Sequence, residues 1–215
     1  MMMSQNLINQ HLLASFPQFE PALINVLTEH ATLKEFNAGD FLMNTGQYMR
    51  FTMLVVEGLV KLYREGEDGS EFFMYYIHSG GACALSMICS TKQETSEIKA
   101  TAVDKTTVLA IPTSMMDDLM KNYKTWYYFV LETYRARFEE LLVVIDHISF
   151  KAMDERLEFY LEKQHKDLNT RKLTLTHSEI ANDLNSSREV ISRLLKKMEQ
   201  QKKVTLHRSY IEYLK

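Results

Sequence analysis

The spacing of apolar residues changes along the chain, and each change marks a different kind of element. Up to about residue 32, apolar side chains recur three or four positions apart, as on a helix that buries one face. Glycine-containing turns such as Glu57-Gly58, Asp68-Gly69 and Gly80-Gly81 follow. The turns separate short β-rich runs, namely Phe51–Val56, Leu59–Tyr63, Phe72–Ile77 and Thr106–Ile111. Many short strands with regular turn signals predict a small antiparallel β-roll or barrel.

After Pro112 the helical spacing returns, and its longest stretch carries a heptad repeat. A short helix is predicted over Ser114–Tyr123 and a long one from about Trp126. Steps of three and four residues along the long helix connect Leu131, Tyr134, Phe138, Leu141, Ile145, Ile148 and Ala152. This 3.5-residue period is narrower than an ordinary amphipathic face, so we interpret these residues as a homodimer seam. The alternative is a helix packed on the core of its own domain.

The C-terminal quarter of the chain has the pattern of a winged helix-turn-helix. A helix is predicted over Asp154–His165, and the capping-box sequences Thr176-His-Ser-Glu179 and Ser186-Ser-Arg-Glu189 then open two short helices. Two runs typical of short strands follow, Val204–His207 and Tyr210–Leu214. Two capped helices close together, followed by a β hairpin, predict a helix-turn-helix with a wing.

The second short helix carries charged residues on the side opposite its apolar stripe. Arg188, Glu189 and Arg193 fall within about 140° of arc on that side. In a major groove, an arginine fork can bind guanine and a carboxylate can accept from the cytosine amino group. We expect Lys196, Lys197, Lys202 and Lys203 to neutralise phosphates. The predicted DNA contacts are Thr176, Ser187, Arg188, Glu189, Ser192, Arg193, Lys203 and Arg208.

The charge of the whole chain conceals this basic end. The 215 residues have a formal net charge of −3. Residues 1–170 contribute −8 and residues 171–215 contribute +5. A basic end on an acidic body indicates an anionic partner for the C-terminal region, whereas the sum alone points away from nucleic acid.

Composition narrows the class of protein and the cellular compartment that we expect. With 46% hydrophobic and 25% charged residues, the chain is typical of a globular protein of one large or two small domains. No apolar run approaches the roughly 18 residues of a membrane helix, and the first ten residues lack the pattern of a secretory signal. Two cysteines, Cys83 and Cys89, are too few for a disulfide scaffold. We therefore expect a cytoplasmic protein without a membrane partner.

Over nearly its whole length, the sequence resembles the cyclic-AMP receptor protein/FNR (Crp/Fnr) superfamily of bacterial transcription regulators. Ser187-Arg-Glu-Val-Ile-Ser-Arg193 resembles the recognition-helix pattern of that family. The β-roll glycine pattern is matched by Phe36 with Gly39-Asp40, by Gly46, and by Glu57-Gly58 with Val60-Lys61. The resemblance implies that Arg188, Glu189 and Arg193 read the base edges of a TGTGA-like half-site.

The resemblance also implies an α+β fold in three parts. These are an N-terminal antiparallel β-roll, similar to the cyclic-nucleotide-binding jelly roll, over residues 1–122, a long dimerisation helix over 123–150 and a winged helix-turn-helix over 151–215. The roll would be the effector or sensor domain. The effector pocket would lie where the roll meets the long helix, and its candidate residues are Leu85, Ser86, Ser96, Glu97, Arg137 and Phe138.

The chain departs from the cyclic-AMP binders of the family at the residues that hold the nucleotide. Those proteins use a Gly-Glu-Leu segment and an Arg-Ser pair, whereas this chain reads Gly81-Ala-Cys-Ala-Leu-Ser86 and Ser96-Glu97. A carboxylate at position 97 would repel a cyclic phosphate. We therefore expect an effector other than cyclic AMP.

Cofactors are also not expected from the residues available. An iron–sulfur cluster normally takes four cysteine ligands, and the chain has two. Haem is disfavoured although His30, His78 and His147 are available. A thiol switch on Cys83 and Cys89 is a further alternative to a simple structural role for these residues.

The function predicted from these patterns is sequence-specific DNA binding by a homodimeric transcription regulator without enzyme activity. Its operator would be a pseudo-palindrome, and its partners would include RNA polymerase and an unidentified small-molecule effector. One alternative is a β-roll protein that binds a small molecule or, like a cupin, a metal, without a DNA function. The roll offers only His78 and no His-x-His pair, so we expect no metal site. Another alternative is a sensor module that acts through protein partners.

Overall fold

The computed structural model describes residues 2–66, 71–88, 95–150 and 152–214. Contacts divide the chain into two compact units, Met1–Arg64 with Met74–Glu139 and Glu65–Phe73 with Glu140–Lys215. The first unit contains a β-roll and the second a winged helix-turn-helix, so the predicted α+β fold is confirmed. The turn predicted at Asp68-Gly69 lies outside the described residues.

The roll has seven strands in the residues that the structure describes. They are β1 (Thr32–Phe36), β2 (Phe41–Met43), β3 (Phe51–Glu57), β4 (Leu59–Glu65), β5 (Glu71–His78), β6 (Lys99–Ala102) and β7 (Thr106–Pro112). They form two sheets with strand orders β1-β7-β3 and β2-β6-β4-β5. The pairs β1/β7, β3/β7, β2/β6 and β4/β6 are antiparallel. The four runs predicted from the sequence are β3, β4, β5 and β7, each found within two residues of its expected bounds.

Side chains of the first sheet alternate between two cores because successive residues of a strand point to opposite faces. Val55 and Val108 join the core between the two sheets, with residues such as Leu62 and Ile77 of the second sheet. The other face of the first sheet, which includes Leu109, packs against the helices that precede and follow the strands. The first sheet therefore contributes side chains to both cores of the first unit.

The turn between β3 and β4 depends on a glycine. Gly58 has φ +85, and a Cβ atom there would come within 2.7 Å of the Lys105 carbonyl oxygen. The backbone N–H of Leu59 donates to Asp104 Oδ1 at 2.9 Å and fixes the turn against the β6–β7 connection. A residue with a side chain at position 58 would be strained by the left-handed backbone conformation and would also clash with the neighbouring backbone.

Five helices flank the strands of the roll: α1 (Met2–Ser15), α2 (Pro21–His30), α3 (Ala84–Ile88), α4 (Met116–Asn122) and α5 (Lys124–Phe150). The aromatic rings of Phe16, Phe19, Trp126 and Phe129 pack together with centroids 5.1–5.8 Å apart, and they join the α1–α2 connection to the start of α5. Of the helices described, none combines the length and the apolar character needed to cross a membrane.

After the end of α5, the described residues of the second unit form three helices and a small sheet. The elements are α6 (Met153–Leu168), β8 (Lys172–Leu173), α7 (His177–Asp183), α8 (Arg188–Gln200), β9 (Val204–Leu206) and β10 (Ile211–Tyr213). The sheet has the order β8-β10-β9, so the predicted wing gains a third strand that the sequence did not reveal.

Polar contacts join α6 to the C-terminal end of α7. The Tyr160 hydroxyl donates to the buried carboxylate of Asp183 at 2.6 Å. The Arg156 guanidinium donates to the carbonyl of Leu184 at 3.0 Å. These bonds hold the end of α7 against α6 and so fix the turn that leads into α8.

The heptad seam was predicted to run to Ala152, but α5 ends two residues earlier, at Phe150. Ala152 has an extended backbone with ψ 161 and is the N-cap of α6. Its N–H donates to Glu155 Oε2 at 3.2 Å, and its carbonyl accepts from the N–H of Arg156 at 3.1 Å. The last predicted seam position therefore starts the next helix because its backbone groups are used there.

Candidate nucleic-acid interface

Helix α7 begins with the capping box that the sequence predicted. The Thr176 hydroxyl accepts a hydrogen bond from the N–H of Glu179 at 3.1 Å, and the Glu179 carboxylate accepts one from the N–H of Thr176 at 2.7 Å. The two bonds satisfy N–H groups that the first turn of a helix leaves without partners. Thr176, a predicted DNA contact, thus uses its hydroxyl to fix the start of α7.

The turn between α7 and α8 ends one residue later than the sequence predicted. Asn185 has φ +49, and the N–H of Ser186 donates to the carbonyl of Ala181 at 2.8 Å, which closes α7. The N-cap of α8 is consequently Ser187, whose hydroxyl accepts from the N–H three residues later at 3.2 Å. The second capping box predicted from Ser186 is corrected to a cap at Ser187, because Ser186 still belongs to the end of α7.

Helix α8 separates an apolar face from a charged one. Ile191, Leu195 and Met198 are buried. The opposite face exposes Arg188, Glu189, Arg193, Lys196 and Lys197. A groove of about 480 Å³ runs along it, lined by Glu189, Ser192, Arg193, Lys196, Lys197 and Gln200. The structure therefore brings four of the predicted DNA contacts together on the first two turns of α8.

Glu189 is held in its charged form. Hydrogen bonds from its own backbone N–H and from the Ser187 hydroxyl, with a smaller contribution from the charge of Arg188, lower the pKa of its carboxyl. A carboxylate that stays ionised can only accept hydrogen bonds. It can therefore accept from a cytosine amino group, as the role predicted for Glu189 requires.

Sequence reasoning missed His177, which lies at the edge of this face. Its Nδ1 is 2.8 Å from the Ser192 hydroxyl oxygen, so the first residue of α7 contacts α8 directly. Burial, followed by the nearby cations of Arg188 and Lys196, lowers the pKa of the imidazole. In the sequence, the one indication of its role was its position directly after the capping threonine. Only the packing of α7 on α8 places His177 beside Ser192.

The lysines expected to neutralise phosphates fall into two groups. Lys197 donates to Asp154 at 2.9 Å and Lys203 to Glu158 at 2.5 Å, so both form ion pairs with α6. Lys196 and Lys202 have no carboxylate partner among the described residues. The ion-paired lysines stabilise the unit as well as adding positive charge, and Lys203 is the more buried of the two.

Arg208 lies at the tip of the wing. It is exposed in the connection between β9 and β10, beside His207. The ring of His207 stacks on Tyr210 with centroids 4.2 Å apart, and its Nε2 is 3.3 Å from Glu212 Oε2. The stacked ring stiffens the hairpin that carries Arg208, the predicted wing contact.

Comparison with known proteins decides what this arrangement is. Residues 33–123 match the cyclic nucleotide-binding domain family, and residues 155–215 match the Crp-like helix-turn-helix domain family. The chain belongs to the Crp/Fnr superfamily of transcription regulators. It is therefore a DNA-binding transcription regulator and not an enzyme.

Individual relatives within the Crp/Fnr superfamily are distant in sequence and similar in fold. A Crp/Fnr-family transcriptional regulator from Eubacterium rectale aligns with a TM-score of 0.79 and 25% identity over 93% of both chains. The c-di-GMP-responsive regulator CLP of Xanthomonas campestris aligns with a TM-score of 0.78 and 15% identity, over 91% of this chain and all of its own. The global nitrogen regulator of Synechococcus elongatus is 21% identical over 83% of this chain and 84% of its own.

Two of the predicted effector-pocket residues, Ser86 and Ser96, are buried and hydrogen-bonded to the backbone. Ser86 donates to the carbonyl of Cys83 at 2.8 Å. Ser96 donates to the carbonyl of Ile98 at 2.8 Å and accepts from its N–H at 3.2 Å. Their hydroxyls therefore hold the local backbone in this structure.

The other four effector-pocket candidates are more exposed. Leu85 lies at the surface of α3, and Glu97 pairs with Arg64 at 3.0 Å on the outside of the roll. The Arg137 guanidinium lies 4.2 Å from the ring centroid of Tyr75, while Phe138 is exposed. The six candidates therefore differ in burial and in partners.

The surroundings of Cys83 bear on the predicted thiol switch. Burial raises the pKa of the Cys83 thiol, which disfavours the reactive thiolate. Cys89 lies outside the described residues. Within the described ranges, no three His, Cys, Asp or Glu side chains cluster as possible metal ligands.

The predicted dimer seam is largely exposed on the surface of α5. Leu131, Phe138, Leu141 and Ile145 are 46–60% exposed although all are large and apolar. Tyr134 differs, because it packs partly against the helical core of its own unit. The side chain of Ile148 lies outside the described residues. Four apolar residues in heptad register are thus left uncovered by the part of the chain that the structure describes.

Proposed function

We propose that two copies of this regulator pair along α5 and read a pseudo-palindromic operator with their α8 helices. The observation that carries the proposal is the face of α8, where Arg188 and Arg193 stand exposed beside an ionised Glu189. Two arginine forks and a carboxylate provide the donors and the acceptor that distinguish base pairs in a major groove. In this proposal Ser192 contacts the same groove, while Thr176 and Arg208 approach the backbone from α7 and the wing.

The exposed heptad residues of α5 support the dimer. Large apolar side chains repeated every 3.5 residues are costly to leave in water, and a second identical helix would cover them. A two-fold dimer would present two α8 helices about one DNA turn apart, roughly 34 Å, and so requires a symmetric site. The domain roles that we propose are a sensor over residues 1–122, a dimerisation helix over 123–150 and a DNA-binding domain over 151–215.

We infer that the effector is not cyclic AMP. A cyclic phosphate buried in the roll needs a cation or several N–H donors to replace its hydration. At the corresponding position this chain has Glu97, which is paired with Arg64, and the buried Ser96 is bonded to its own backbone. Iron–sulfur and haem cofactors are equally not part of the proposal. An effector of another kind would act by shifting the population of DNA-binding conformations.

Family membership supports two further parts of the proposal. Members of this family regulate transcription, which RNA polymerase carries out, so RNA polymerase is the proposed protein partner. The cytoplasm is the proposed location, since both DNA and the polymerase of a bacterial cell are there.

The experiment that tests the DNA proposal is affinity selection from random-sequence duplexes. The wild-type protein is compared with the Arg188→Ala/Arg193→Ala variant. A matched control, Lys121→Ala/Arg135→Ala, removes the same two charges from exposed positions of the first unit. We expect one motif to be enriched by the wild type and the control, and none by the α8 variant. Selection of the same motif by all three proteins would overturn the proposal.

Calorimetric titration tests the inference about cyclic AMP separately. We expect no saturable heat up to about 1 mM nucleotide, which is far above the range of a physiological effector. Micromolar binding of cyclic AMP at one site per chain would contradict this inference and would leave the DNA-binding proposal unaffected.

A further inference from the structure

A cavity of about 520 Å³ opens in the first unit where β1, β2, β3 and the loop at residues 44–50 meet. Its floor includes Leu42 and Met43, which belong to the core between the two sheets. Its walls are aromatic, formed by Phe36, Tyr48 and Phe51. The volume is within the range of pockets that hold small organic molecules, and none of the effector-pocket candidates lines it.

Two cations stand at this cavity. The Lys34 ammonium lies 4.7 Å from the ring centroid of Phe51, and Arg50 is exposed on the following loop. In the part of the chain that the structure describes, neither has a carboxylate partner. Glu35, the neighbour of Lys34 on β1, pairs instead with Lys105 at 3.6 Å. The positive charge of the cavity is therefore not neutralised by the acidic residue nearest in sequence.

The backbone that carries these side chains is fixed at several points. Gly46 donates to the carbonyl of Ser96 at 2.8 Å, and Ser96 donates back to the carbonyl of Gln47 at 2.8 Å. The carbonyl of Arg50 accepts from the N–H of Thr113 at 3.0 Å. The backbone of the loop is thus bonded to Ser96, which precedes β6, and to Thr113, which follows β7. Such a loop forms a wall before a ligand arrives, which lowers the entropic cost of binding.

We propose that this cavity binds a small aromatic carboxylate. The aromatic walls and the apolar floor accommodate the ring, and Lys34 and Arg50 receive the carboxylate. Charge-assisted hydrogen bonds to two cations give specificity for an anion, and ring contacts exclude a purely aliphatic acid. The inference goes beyond the DNA-binding proposal and does not depend on it.

Isothermal titration of the full-length protein tests the site with three probes: phenylacetate, its neutral isostere phenylacetamide, and acetate. We expect phenylacetate to bind once per chain with a dissociation constant at or below about 1 mM. Phenylacetamide and acetate should each bind at least about tenfold more weakly, since one lacks the charge and the other lacks the ring. These comparisons do not depend on any variant folding correctly.

Variants then locate the site. Lys34→Met and Arg50→Gln, made singly, should each weaken phenylacetate binding by about tenfold. The matched control Lys105→Met removes a cation that pairs outside the cavity and should leave binding unchanged. The proposal is overturned if phenylacetate gives no saturable heat. It is also overturned if phenylacetamide or acetate binds as tightly, or if Lys105→Met weakens binding as much as the other two variants.

Discussion

At the scale of single residues, the face of α8 separates side chains that hold the fold from side chains available for DNA. Arg188 and Arg193 form no hydrogen bond or ion pair among the described residues, and both were predicted from the sequence because their spacing alone places them opposite the apolar stripe. Ser187 and His177 could not be assigned in that way. The role of Ser187 follows from where α7 ends, and that of His177 from the packing of α7 on α8.

Replacing Arg188 with alanine should weaken operator binding by about 1–3 kcal/mol and relax the preference at one base pair. The physical reason is the loss of a bidentate contact to a base edge. Fluorescence anisotropy with the selected duplex and its single-base variants measures both effects.

Lys196→Ala is the matched contrast, because a phosphate contact carries no sequence information. It should weaken binding to all duplexes alike and lower the slope of affinity against salt by about one. If both variants changed affinity equally on every duplex, base reading by Arg188 would be ruled out.

The lowered pKa of His177 predicts a pH dependence of DNA binding. The free protein keeps the imidazole neutral at pH 7, owing to burial and to the cations of Arg188 and Lys196. A DNA phosphate nearby would favour the protonated ring, so the complex would bind more protons than the free protein. Affinity should therefore rise as the pH falls from about 8 to about 6.

The variant His177→Gln isolates this contribution, because glutamine can still bond to Ser192 but does not titrate. Its affinity should depend less on pH than that of the wild type, measured at constant ionic strength. The control variant is His207→Gln, which removes the histidine of the wing beside Arg208. Identical pH profiles for the wild type and His177→Gln would contradict the prediction.

At the scale of elements, local pattern predicted the long and strongly periodic segments. Helix α5 and the strands β3, β4, β5 and β7 follow from apolar spacing, since each buries a continuous face. The short strands β2 and β8 have two or three residues and exist only because a neighbouring strand pairs with them. The end of α5 was missed because the cap at Ala152 uses backbone groups and a glutamate three positions later.

The contact between α6 and α7 gives a stability prediction. Tyr160→Phe removes the hydroxyl that donates to the buried Asp183 carboxylate at 2.6 Å. Hydrogen bonds to charged groups contribute about 1.5–3 kcal/mol, so the free energy of unfolding of the second unit should fall by about that amount. Urea denaturation followed by circular dichroism measures it, and Tyr210→Phe is the control because its hydroxyl has no described hydrogen bond. Equal losses in the two variants would show that the Asp183 bond is not the cause.

The seam on α5 gives a prediction about assembly. Leu141→Glu places a charge at the centre of the exposed heptad stripe, where a partner helix would have to bury it. Sedimentation equilibrium should show the variant as a monomer at concentrations where the wild type is a dimer. Val143→Glu changes a residue that is also exposed but lies off the stripe, and this variant should remain a dimer. A dimeric Leu141→Glu variant would place the interface elsewhere.

At the scale of the whole molecule, function follows from how charge is distributed. The +5 balance of residues 171–215 belongs to the second unit, and the −8 balance covers the remainder of the chain. Family and fold could be predicted because the α8 motif and the β-roll turns are local sequence patterns. The cavity with Lys34 and Arg50 could not, because β1, β2 and β3 and the loop that line it meet only in the folded roll.

The central claim, that a dimer reads a two-fold symmetric operator through α8, is tested most directly by changing the spacing between half-sites. Five base pairs are inserted at the centre of the selected duplex, which rotates one half-site to the opposite side of the helix without altering either sequence. We predict that affinity falls by at least about a hundredfold, since both recognition helices can no longer bind at once. Unchanged affinity for the expanded duplex would contradict the account, because it would mean that each chain reads its half-site alone.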